Sequence, residues 1–148
     1  MVEIVSNKSI NLDEMRKFSS YIGKKVFSKT GEFMGEVYDI AIKKDTIVGV
    51  FYKGNLNVFI DKEFFESDTK EAIMLKIEPV TRLIGKEVYD STGELIGEVV
   101  ELKRKGNSNS YDELRVKKGF FYKSVYIPKE KIAVAKKNII LKGPWEQK

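Results

Sequence analysis

The chain has 148 residues, 42% of them hydrophobic, and a net charge of +5, a composition that supports a packed core and excludes global disorder. Cysteine and histidine are both absent, which excludes disulfides, thiolate nucleophiles and cysteine metal sites. It also removes the usual general base near neutral pH and the commonest metal ligand. No cluster of carboxylates, lysines or tyrosines stands in for them, so the expected function is non-enzymatic. No catalytic, cofactor-binding or metal-ligating residues are assigned. No run approaches the roughly 18 apolar residues of a membrane span. Residues 1–7 lack the basic and apolar regions of a signal peptide, so a cytoplasmic location is expected.

Residues 1–20 read as an arm, flexible or carrying a short helix. Ser9 or Asn11 is a candidate cap that would bring Leu12, Met15 and Phe18 to one side. From residue 21 the chain repeats itself. Residues 21–40 read YIGKKVFSKTGEFMGEVYDI and residues 83–102 read LIGKEVYDSTGELIGEVVEL, with ten of twenty positions identical. Gly23, Gly31 and Gly35 fall on Gly85, Gly93 and Gly97, and all six are assigned structural turn or bulge roles. The repeat continues from residues 58–63 to residues 125–130, displaced by five further positions that are expected in the loop at 103–112. The copies therefore run 21–78 and 83–142, with residues 79–82 as linker and 143–148 as a C-terminal tail. Trp145 in that tail is read either as an anchor or as part of a disordered end.

Each copy predicts strands. Val26-Phe27 and Val88-Tyr89 have β-branched and aromatic side chains suited to a pleated strand, and the turns at 28–31 and 90–93 return the chain into a second strand. Further strands are expected at 46–53, 57–60 and 72–77, and at 112–117, 122–127 and 138–141. Residues 61–65 and 128–132 each predict a single helical turn. The expected fold is all-β, two tandem small antiparallel β-barrels with single short helical turns.

With the repeat in hand, the chain resembles the PRC-barrel family. The matching residues are 22–26, 30–32 and 35–37 and their counterparts 84–88, 92–94 and 97–99. The Val125-Tyr126-Ile127-Pro128 element is a further match, where the first copy has Asp61 in place of the proline. The resemblance implies a PRC-type barrel in each copy and a role as a non-catalytic protein–protein adaptor or scaffold. It is closest to archaeal PRC-barrel proteins that act with the FtsZ/SepF-based cell-division machinery. Because the family also includes the ribosome maturation factor RimM, the alternative is a ribosome-maturation or RNA-associated factor.

Two features are candidates for binding. The first is aromatic: Val50, Phe51 and Tyr52 in the first copy, and Phe120, Phe121 and Tyr122 in the second, read either as buried between the copies or as a protein interface. Such an interface would serve a partner, a homo-oligomer or a filament grown head to tail. The second is charge. Residues 1–78 carry 12 Lys/Arg against 13 Asp/Glu, whereas residues 79–148 carry 15 against 9. Lys103, Arg104, Lys105, Lys117, Lys118 and Lys123 form a candidate basic patch for an acidic protein, for nucleic acid or for an anionic membrane surface approached peripherally.

Overall fold

A computed structural model describes residues 2–146. Met1, Gln147 and Lys148, within the expected arm and tail, lie outside the described residues. The chain divides into two compact units, Met1–Lys76 and Ile77–Lys148. Among the described residues no helix is long and apolar enough to cross a membrane.

In unit 1 the strands are β1 (Lys25–Phe27), β2 (Phe33–Lys43), β3 (Thr46–Lys53), β4 (Asn57–Asp61), β5 (Phe65–Asp68) and β6 (Ala72–Leu75). They form one sheet in the order β4-β3-β2-β1-β6-β5. β2, β3 and β4 are a meander, but β6 returns to pair parallel with β1, Val26 opposite Ile73. Alternation sets the core: Val26, Val37, Val50, Tyr52, Ile60, Ile73 and Leu75 are buried. In unit 2 the strands are β7 (Glu87–Tyr89), β8 (Leu95–Lys103), β9 (Glu113–Lys117), β10 (Val125–Pro128), β11 (Ile132–Ala135) and β12 (Ile139–Leu141). Their order, β10-β9-β8-β7-β12-β11, is that of unit 1, again with one parallel pair, β12 against β7. The core here is Val88, Ile96, Val99, Leu102, Leu114, Val116, Ile127, Ile139 and Leu141, joined by Val80 and Leu83.

Three expectations need correction. Neither sheet is a closed, purely antiparallel barrel: β4 and β5 are free edges in unit 1, as are β10 and β11 in unit 2. In each unit the edges are bridged by a three-residue 3-10 turn, Lys62–Phe64 or Lys129–Lys131, and not by a strand ladder. The supposed linker at 79–82 is part of unit 2, because the 3-10 turn Val80–Leu83 drives both end residues into the core. Its amide at Val80 donates to Asn109 Oδ1 (2.7 Å), and Asn109 Nδ2 donates to the Glu78 carbonyl (3.0 Å). Finally, residues 122–124 precede β10 and do not belong to it.

The glycines at 35 and 97 show why the repeat keeps them. Both adopt positive φ (148° and 152°), and a Cβ on Gly35 would stand 2.5 Å from the Lys53 carbonyl oxygen. On Gly97 it would stand 2.7 Å from the Lys117 carbonyl group. Each sits at the bulge where the β1–β2 or β7–β8 register shifts, so only glycine lets the neighbouring backbone approach. The other four assigned glycines, Gly23, Gly31, Gly85 and Gly93, also have positive φ.

Candidate binding surface

The registers of the two sheets locate the residues by which the units differ. Tyr52 and Val116 occupy equivalent places, opposite Val37 and Val99 respectively. Val58 and Val125 are likewise equivalent, opposite Tyr52 and Val116. Of the five extra residues in unit 2, two therefore lie between β8 and β9 and three between β9 and β10. The expectation that all five sit at 103–112 is corrected accordingly. In unit 1 three residues, Gly54, Asn55 and Leu56, join β3 to β4. In unit 2 the longer loop at 118–124 carries the Phe120-Phe121-Tyr122 run.

That loop is the most exposed apolar element of unit 2. Phe120 is 85% exposed, Phe121 94% and Tyr122 59%. Phe120 and Phe121 meet edge to face with centroids 5.2 Å apart. Lys117 Nζ lies 5.6 Å from the Phe120 centroid and Lys118 Nζ 5.9 Å from that of Tyr122, so cations flank the rings. The loop reverses on a bond from the Tyr122 amide to the Gly119 carbonyl (3.1 Å).

The other aromatic group behaves differently. Val50 and Tyr52 are buried in the core of unit 1 and present no surface, because the pleat sends them inward from β3. Phe51 faces outward and is half-buried, in a row with Tyr38 and Phe59 at 6.1 and 5.4 Å between centroids. In unit 2 the place of Phe51 is taken by Arg115, paired with Glu101 at 2.9 Å.

The candidate basic patch is two patches. Lys103 ends β8 with Arg104 and Lys105 following it in the β8–β9 loop, and Lys117, Lys118 and Lys123 lie on or beside the β9–β10 loop. Five residues of β9 separate the two loops, a distance of about 17 Å at the rise of a strand. The first group is also engaged by neighbouring groups. Lys103 pairs with Glu113 at 3.6 Å, and Arg104 donates to the Ser108 carbonyl at 2.7 Å.

Sequence reasoning missed two anchoring networks. Asp90 is buried and accepts from the Thr92 hydroxyl (2.6 Å), the Thr92 and Glu94 amides and, through Oδ2, the Trp145 amide (3.0 Å). The Thr92 hydroxyl first, then the Trp145 amide, hold its carboxyl at a pKa of about 2. Trp145 thereby packs against the core of unit 2 with Lys131 Nζ 4.9 Å from its ring. The reading of that end as disordered is corrected. The visible signal was the Asp-x-Thr turn at 90–92.

In unit 1, Asp68 at the end of β5 collects Lys24 Nζ (2.5 Å), Arg16 (2.7 Å) and the Tyr21 hydroxyl (2.8 Å). Burial opposes the Asp68 charge, but hydrogen bonds from Lys24 and Tyr21 and the two cations outweigh it and hold the carboxyl below its usual range. Arg16 ties the N-terminal arm to this network. Asn11 caps a 3-10 turn, Leu12–Glu14, and Leu12, Met15 and Phe18 remain exposed. Among the described residues no group of carboxylates is arranged to hold a metal ion.

Comparison with known proteins places the second unit. A PRC-barrel domain is found at residues 76–148. The span coincides with unit 2, so the PRC-barrel domain comprises β7–β12, the β9–β10 loop and the anchored Trp145. No curated protein matches the sequence. Among solved structures, a 16S ribosomal RNA processing protein RimM of Pseudomonas aeruginosa is 14% identical over 84% of this chain and 78% of its own, with a TM-score of 0.36. A likeness of that size carries no functional weight.

Proposed function

We propose that this protein is a non-catalytic adaptor that binds a protein partner through the β9–β10 loop of its PRC-barrel domain. The observation that carries the reading is the exposure of Phe120 and Phe121 at 85% and 94%, on a seven-residue loop where unit 1 has a three-residue connection. Exposed rings clustered at a loop tip are the kind of anchor on which protein interfaces depend. The absence of histidine and cysteine supports a role without chemistry. The shared strand order supports treating residues 21–76 as a second PRC-type unit. A place in archaeal cell division is supported by the family resemblance alone.

RNA binding is the second reading. Its support is the interleaving of Lys117 and Lys118 with Phe120 and Tyr122, since cations beside rings suit a single strand. Tagged pull-downs from the native host with nuclease treatment, using wild type and Phe120→Ala/Phe121→Ala, separate the two. Capture of a defined protein that persists after nuclease and is lost in the variant is the expected outcome. Ribosomal particles that disappear on nuclease treatment would replace it with the RNA reading.

A further inference from the structure

Behind the exposed tip, unit 2 contains an open cleft of about 640 Å³ between the β9–β10 loop, the start of β10 and the C-terminal segment. Its charge is lopsided: Lys118, Lys123 and Lys131 line it together with one carboxylate, Glu146. Among the described residues none of these lysines forms an ion pair. Ile96 and Val125 supply apolar wall, and Phe121 and Trp145 also line it. The indole N–H of Trp145 is shielded from solvent and has no acceptor, an arrangement that costs free energy until a ligand oxygen or a water supplies one.

The cleft also borders a sheet edge. β10 pairs only with β9, so backbone groups along its other side are unladdered, beginning at Val125, which lines the cleft beside the preceding Ser124. We infer that the cleft is a docking groove for an acidic, extended peptide segment of the partner, laid along the free edge of β10 with its carboxylates on Lys118, Lys123 and Lys131. The inference rests on the adaptor reading and specifies its partner. Charge complementarity selects an anion, and the strand edge selects a peptide backbone. Nucleic acid fits less well, because it has no peptide backbone to pair with the open edge of β10.

The test is fluorescence anisotropy of the full chain with a labelled peptide alternating Glu with Val and Phe, alongside a Lys-for-Glu control peptide and labelled oligouridine. Amide shifts are followed by NMR. The acidic peptide is expected to bind saturably, to shift the Ser124 and Val125 amides, and to weaken by about tenfold or more in K118E/K123E/K131E. All three lysines are exposed, so the variant retains the core. Binding that ignores the charge reversals, shifts confined to other strands, or binding of oligouridine alone would each overturn the groove. Partner capture that survives K118E/K123E/K131E yet is lost in F120A/F121A would remove the groove and leave the adaptor reading standing.

Discussion

Asp90 shows how one side chain of this protein decides the fate of a whole segment. Its carboxylate takes bonds from its own turn and from the Trp145 amide, so the charge that closes the turn also docks the C-terminal residues. A carboxyl held near pKa 2, below the ordinary 3.8, contributes stability that is complete above about pH 4 and fades as pH falls toward 2. Trp145 is the only tryptophan, and its fluorescence reports the docking directly. Acid titration is expected to shift its emission between pH 4 and 2, and Asp90→Asn is expected to lose that component. Asp68 presents the complementary case. Asp68→Ala leaves the buried Lys24 ammonium without its carboxylate and should cost about 3 kcal/mol in chemical denaturation. At Gly97 the cost is steric. Gly97→Ala, forced against the Lys117 backbone, should lose about 1–3 kcal/mol by the same measurement.

Among the elements, the two β-hairpins β3–β4 and β9–β10 have the same register and opposite characters. A three-residue connection leaves nothing to project beyond the sheet in unit 1, whereas the loop at 118–124 projects three aromatic rings. Shortening that loop to the Gly-Asn-Leu of unit 1 should preserve the far-UV circular dichroism of the sheet while abolishing partner capture. Retained capture would move the interface elsewhere, with the outer row of Tyr38, Phe51 and Phe59 as the next candidate. The strands that sequence reasoning missed, β5 and β11, are legible only with difficulty. Phe65–Asp68 has one large apolar residue, and both strands carry a register shift against β6 or β12. A period-two pattern does not survive such a shift.

Across the whole molecule, charge is divided unevenly, with residues 79–148 carrying the excess of Lys/Arg. Association with an acidic partner through the PRC-barrel domain should therefore slow as salt rises while dissociation changes little, which stopped-flow kinetics resolves. The internal repeat, the all-β class, the turn glycines and most strands were readable from sequence, because turn chemistry, β-branched runs and alternation are local properties of the chain. Tertiary structure alone decided what depends on residues far apart. β1 pairs parallel with β6 and β7 with β12, the edge strands stay unpaired, Val50 and Tyr52 turn inward, and the candidate basic patch divides between the two ends of β9. It also docked Trp145 on Asp90, 55 positions away, through a backbone bond whose partner no local pattern encodes.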